Sequence, residues 1–171
     1  MWGRKPKLPA QLRPALDRDE RVLAWAEAGD GVAVATNRGL WLPGAGRIGW
    51  HQIHKATWGE SRLTVVPAEF RAGEGFGVVA DLAPVSVTLR DPGDLPKRVR
   101  DRVTSSVAFS TRYPLPGGGA VRVVARRVPG RDGLTWSVRY EDGADGGDPA
   151  VHAATGELVA AAKAAVSQPD D

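Results

Sequence analysis

The stretch from Gly31 to Trp58, GVAVATNRGLWLPGAGRIGWHQIHKATW, constrains the fold of this chain more than any other. Apolar Gly31–Thr36 runs into the polar corner Thr36-Asn37-Arg38-Gly39 and the short apolar run Leu40-Trp41-Leu42. Beyond a Pro/Gly turn comes a return segment carrying Trp50, Ile53 and Trp58. Short apolar runs punctuated by turn residues are the pattern of a β-meander. One this rich in aromatics predicts the wall of a small barrel or sandwich, with Trp25, Trp41, Trp50 and Trp58 filling its core. It carries no catalytic signature.

The strand pattern continues on either side. Arg21–Ala28, Gly31–Thr36, Gly39–Leu42, Arg47–Trp58, Arg62–Pro67, Gly77–Leu82 and Val85–Arg90 are seven strand candidates, spaced for a sandwich or barrel rather than for βαβ units. Asp91-Pro92-Gly93-Asp94 then breaks the pattern, with Asp94 as helix N-cap and Pro96 in the first turn. Leu95, Val99, Val103 and Val107 recur every four residues and predict an amphipathic helix over 94–111, buried against the barrel mouth. After Pro114-Leu115-Pro116-Gly117-Gly118-Gly119, the segments Val121–Val128 and Leu134–Glu141 read as a hairpin. Its second strand alternates Leu134, Trp136, Val138 and Tyr140 against Thr135, Ser137, Arg139 and Glu141. Asp148-Pro149 opens a last helix with Val151, Leu158, Ala162 and Val166 on one stripe, expected to bury Trp136.

The expected fold class is therefore α+β and mainly antiparallel β. A seven-strand barrel closed by a C-terminal helix is followed by a ββα appendage too small for a core of its own. The expected divisions are an arm with a short helical turn over 1–19, the barrel and closing helix over 20–112, a Pro/Gly linker over 113–119, and a hairpin-plus-helix unit over 120–171. Seven strands and one closing helix resemble the pleckstrin-homology-like barrel. Thr36, Arg38, Leu40, Ile48, Trp50 and Ile53 in VAVATNRGLWLPGAGRIGWHQI resemble the bacterial versions, over roughly residues 20–112. The stretch is also similar to an actinobacterial protein group, which suits a chain with 18 arginines and 5 lysines. The resemblance implies a binding or scaffold module and no particular ligand.

Composition excludes several classes of chemistry. With no cysteine, disulfides, thiolate catalysis and cysteine-ligated metals are ruled out. No apolar run approaches the ~20 residues that span a bilayer. The start, Met-Trp-Gly-Arg-Lys-Pro-Lys, has neither an apolar core after its basic residues nor glycine at position 2, so a cytoplasmic location is expected.

Each motif has a plainer reading beside it. Gly44-Ala-Gly-Arg-Ile-Gly49 fits G-x-G-x-x-G, but Pro43 precedes it and β-like residues follow, so it reads as a hairpin turn. His51 and His54 would face opposite sides of a strand and lack a third ligand. Glu141, Asp142, Asp145 and Asp148 lack the alternating spacing of a calcium loop. The expectation is a protein without metal, cofactor or catalytic site.

The formal charge is +3, but residues 97–140 carry +8 and residues 141–171 carry −6. Arg98, Arg102, Arg122, Arg126 and Arg139 are the candidate partner-binding residues, expected to be exposed. Such a patch can meet phosphates, an acidic protein, or the chain's own acidic tail. The leading functional expectation is a non-catalytic module engaging a protein or peptide through loops or a sheet edge. The alternative is a binder of nucleic acid or an anionic surface through the basic region.

Overall fold

The computed structural model describes residues 5–168. Residues 1–4 of the expected arm, and the last three residues of the acidic tail, lie outside the described residues. Among the described residues, eleven strands and two α-helices form, together with 3-10 turns at Ala10–Leu12 and Trp50–Gln52. The strands are β1 (Val22–Ala28), β2 (Gly31–Thr36), β3 (Gly39–Leu42), β4 (Gly46–Gly49), β5 (Ile53–Gly59), β6 (Arg62–Arg71), β7 (Gly77–Asp81), β8 (Val85–Arg90), β9 (Val107–Pro114), β10 (Ala120–Arg126) and β11 (Thr135–Glu141). The helices are α1 (Leu95–Ser105) and α2 (Pro149–Ser167).

The hydrogen-bonded order is β4-β3-β2-β1-β8-β6-β7-β11-β10-β9, with β5 pairing β6 off this path. The β7–β11 pair is parallel. This corrects the expected fold: the protein is an eleven-strand mixed sheet whose path ends at β4 and β9 without closing. It is not a seven-strand pleckstrin-homology-like barrel with a ββα appendage.

Two local choices account for most of the departure. The segment expected as one strand over 47–58 breaks at Gly49, where the Gln52 side chain accepts the Gly49 N–H at 2.9 Å and a 3-10 turn carries Trp50 inward. A Cβ on Gly49 would lie 2.6 Å from the His51 ring, so any larger residue there would displace that ring. The helix expected to reach residue 111 ends at Ser105, and Ser106 turns back to bond the Val103 carbonyl at 2.7 Å. Val107 fits the four-residue repeat of α1, but it also begins the period-two series Val107, Phe109, Thr111 and Tyr113. β-branched and aromatic residues in alternation favour a strand, and the strand prevails.

The chain divides into two compact units: residues 1–68, 81–106 and 128–131 form unit 1, and residues 69–80, 107–127 and 132–171 form unit 2. Residues 107–127 run unbroken within unit 2, and Leu115–Gly119 forms the turn of the β9–β10 hairpin.

In unit 1, Ala26, Ala33, Leu40, Ile53, Leu63 and Val65 share one buried core with Leu95, Val99 and Val103 of α1. Of the four tryptophans expected in this core, only Trp50 is buried, and its indole donates to the Thr36 carbonyl at 2.9 Å. Trp25 and Trp41 are half-buried and Trp58 is 36% exposed.

In unit 2, one face of β9-β10-β11 carries Val121, Val123 and Val138, and α2 covers it with Val159 and Ala162. Asp148 caps α2 by accepting the Ala150 N–H at 2.8 Å. Trp136 is half-buried rather than buried, and Val166 is exposed. The ring of Tyr140 crosses to α2 instead, donating to the buried Thr155 hydroxyl at 3.1 Å. Tyr140→Phe removes that one bond and is expected to lower stability by about 1 kcal/mol. Chemical denaturation checks this through a shifted midpoint at unchanged slope.

Candidate cleft at an open strand edge

β1 and β8 pair only over Glu27↔Arg90 and Ala28↔Leu89, because β1 ends at Ala28 and the Gly29-Asp30 turn carries the chain into β2. β8 runs on beyond that point. From Val85 to Thr88 it stays paired with β6 on one side, and its other side has no strand beside it among the described residues.

The backbone orientation of this stretch follows from one hydrogen bond. The Leu89 N–H donates to the Ser61 carbonyl at 2.8 Å, so it points toward β6. Backbone groups alternate sides along a strand, so Val87 also points toward β6, while Ser86 and Thr88 point away. The Thr64 and Ser86 hydroxyls lie 2.8 Å apart, the close approach of a pair that exchanges no backbone bonds. Ser86 and Thr88 thus present two N–H and two C=O groups on the open side.

That side opens on a cleft of about 540 Å³, walled by Ser86–Thr88, by the Ala28–Gly31 turn, and by Pro43. The turn can sit close because its residues are small. A Cβ on Gly31 would meet Pro43 Cγ at 3.2 Å. Val87 and Pro43 supply apolar surface, and Asp30 is the one ionisable side chain in the lining. The volume is in the range of ligand sites. The site can satisfy the backbone of an extended segment, and its side-chain polar groups are Asp30, Ser86 and Thr88.

The end of the β1–β2 hairpin away from the Gly29-Asp30 turn is clasped by a buried carboxylate. Glu20 accepts from the Thr36 hydroxyl at 2.5 Å, the Asp17 N–H at 3.0 Å, the Trp41 indole at 3.1 Å and Arg47 at 2.7 Å. Burial alone would raise its pKa, but Thr36, the Asp17 backbone, Trp41 and Arg47 together hold the carboxyl below its ordinary 4.5. Arg47 lies over the Trp41 ring at 5.6 Å and also bonds Asp17 at 2.8 Å. Arg38 pairs with Asp19, whose carboxyl that bond holds below the usual range. The corner Thr36-Asn37-Arg38-Gly39, singled out in the sequence, is a structural clasp with its polar groups engaged.

The candidate partner-binding arginines are divided between the two units. Arg98 and Arg102 lie on α1 in unit 1, where Arg98 bonds Asp94 at 3.2 Å. Arg122, Arg126 and Arg139 lie on β10 and β11 in unit 2 and are half-buried, not solvent-exposed. Arg112, Arg122 and Arg139 form one cross-strand row. Glu141 bonds Arg122 at 2.8 Å, and Asp142 pairs with Arg112 and raises its pKa. Burial, followed by the charge of Arg139, pushes the Arg126 guanidinium down.

The remaining motifs are placed as follows. Gly44–Gly49 lies in the β3–β4 hairpin, with Leu42↔Gly46 and Gly39↔Gly49 paired. His54 bonds Asp81 at 3.0 Å from β5, and His51 sits in the preceding 3-10 turn. Among the described residues, no group of three or more His, Asp or Glu side chains is arranged to hold a metal, and no helix is long and apolar enough to cross a membrane.

Sequence reasoning missed Ser86 and Thr88 as site residues. Their side chains carry no motif; the backbone of a strand that outruns its neighbour makes them available. Only the Gly29-Asp30 turn, which ends β1 early, signals it.

No family model, curated protein or solved structure matches this chain, so the resemblance to pleckstrin-homology-like barrels and to an actinobacterial group has no support from relatives.

Proposed function

We propose that the protein is a non-catalytic binding module of the cytoplasm that takes an extended segment of a partner protein into the β1–β8 cleft. The segment adds as a strand along Ser86–Thr88. The observation that carries this reading is the open β8 edge forming one wall of a cleft of about 540 Å³. Backbone pairing supplies affinity, and the walls select the side chains. A residue opposite Val87 turns its side chain toward Val87 and must be apolar. Residues opposite Ser86 and Thr88 face hydroxyls and water.

The basic region offers less to a nucleic acid. Arg98, Arg112 and Arg122 already pair with Asp94, Asp142 and Glu141. A phosphate would have to displace these carboxylates.

The test is selection of extended peptides from a displayed random library, followed by binding to Thr88→Pro. Proline at 88 removes an N–H that the β6 ladder does not use, and proline is tolerated at such an edge. Thr88→Pro is expected to fold and to lose binding by about tenfold or more, the worth of roughly one backbone hydrogen bond. Val87→Pro breaks the β6 ladder and is expected to unfold the edge. Added salt is expected to change affinity little, whereas phosphate contacts weaken steeply with salt. Peptides that bind wild type and Thr88→Pro equally would remove the proposal.

A further inference from the structure

The sheet path ends at β9, an eight-residue strand that pairs, among the described residues, on one side only, with β10. Its outward groups follow from the turn that joins it to β10. The Leu115 N–H donates to the Gly119 carbonyl at 3.0 Å, so Leu115 points toward β10. By alternation Tyr113, Thr111 and Phe109 point the same way, and Arg112 and Ser110 point outward. Two features bound the open stretch. Pro114 has no N–H to offer, and the β10 register slips between Ala125↔Phe109 and Arg126↔Val107, placing a bulge at Ala108. What remains open is Phe109-Ser110-Thr111-Arg112-Tyr113.

We infer that this stretch pairs antiparallel with the same stretch of a second copy of the chain, about a two-fold axis at Thr111. The sequence is self-complementary in that register. Ser110 lies opposite Arg112 of the second copy, so the two outward residues of each strand meet and exchange four backbone hydrogen bonds across the pair. On one face Phe109 meets Tyr113 twice and Thr111 meets itself. Aromatic pairs and paired β-branched residues are the favourable cross-strand neighbours. Phe109 and Tyr113 are both half-buried, and Phe109 already lies 5.6 Å from the Trp136 ring, so the new pairs extend an existing apolar face.

Charge also favours this occupant. The row Arg139–Arg122–Arg112 would gain a serine hydroxyl from the second copy rather than a fourth guanidinium. Each Arg112 carries its own counter-charges in Asp142 and Glu141, so the two that approach diagonally are already neutralised. The self-pairing is isologous and closes at two copies, because each copy contributes the outer edge of its own β9.

Single cysteines read this register, and the chain has none to interfere. Because Thr111 points its backbone inward to β10, the two Thr111 residues form the close, non-hydrogen-bonded type of pair, at a separation a disulfide can bridge. Under mild oxidation full-length Thr111→Cys is expected to give a disulfide-linked dimer, with Ser110→Cys and Arg112→Cys about tenfold slower or more. Sedimentation of the cysteine-free protein is expected to show a monomer–dimer equilibrium that Ser110→Pro shifts to monomer. A monomer at every concentration, equal crosslinking at 110, 111 and 112, or a dimer that persists in Ser110→Pro would each overturn the inference. A heterologous strand captured at β9 by a monomeric protein would also overturn it.

Discussion

Trp50→Ala is expected to cost about 3–5 kcal/mol, the range for truncating a large buried aromatic. Trp50 is 2% exposed and is the largest fully buried side chain among the described residues. Its removal opens a cavity among Leu40, Ile53 and Leu63, which a sheet tied by its own ladders cannot collapse to fill. It also strips the Thr36 carbonyl of the indole N–H that satisfies it at 2.9 Å. Trp25→Ala and Trp58→Ala are the contrast, because both residues sit at the rim and leave no comparable void. Thermal unfolding checks the ranking: Trp50→Ala should melt far below the other two. Equal losses for the three would mean that the tryptophans fill one shared core after all.

Glu20→Ala is expected to be the second most damaging change, at about 3 kcal/mol, since it leaves the Thr36 hydroxyl, Trp41 indole and Arg47 charge without their common acceptor. The same carboxylate makes stability depend on pH. Its folded pKa lies below the ordinary 4.5, so the folded state binds a proton less readily than the unfolded chain. The stabilisation is complete above about 4.5 and is lost as pH falls through the lower, folded value. Glu20→Gln should flatten that acid limb while costing less than alanine at neutral pH, because an amide oxygen can still accept from Thr36 or Trp41. Denaturation midpoints of wild type and Glu20→Gln between pH 2 and pH 7 measure this, a window set by the carboxylate range. An acid limb identical in the two proteins would place the titrating group elsewhere.

The strands themselves were legible because their signals are local. β2, β3 and β8 lie where alternation and turn residues put them. The errors arose where two local patterns overlapped or where pairing decided the outcome. Val107 satisfied both the four-residue helical repeat and the two-residue strand repeat, and no local signal shows that β10 will be there to pair with it. The break at Gly49 depends on Gln52 reaching back to a backbone N–H, a contact between side chain and chain that periodicity does not encode. The parallel β7–β11 pair joins residues about sixty positions apart and could not be read from spacing. A barrel was expected because seven strands were counted in order; whether a sheet closes depends on which edges meet.

The candidate site was less legible still. The basic residues drew attention as a count of charges, whereas Glu141 and Asp142 engage Arg112 and Arg122 in the fold. The Glu20 clasp was half visible, as the Thr36–Gly39 corner, but nothing local ties that corner to a carboxylate sixteen residues earlier. The β8 edge is a property of backbone left over when β1 stops, and no side-chain motif records it.

Amide hydrogen exchange along β8 tests the open edge most directly. In the protein alone, Val87 and Leu89 should exchange slowly, held by β6, while Ser86 and Thr88 exchange fast. On adding a selected extended peptide, Ser86 and Thr88 should become protected and Val87 should not change. Slow exchange at Ser86 and Thr88 without peptide, or fast exchange there with peptide bound, would contradict strand addition at this edge.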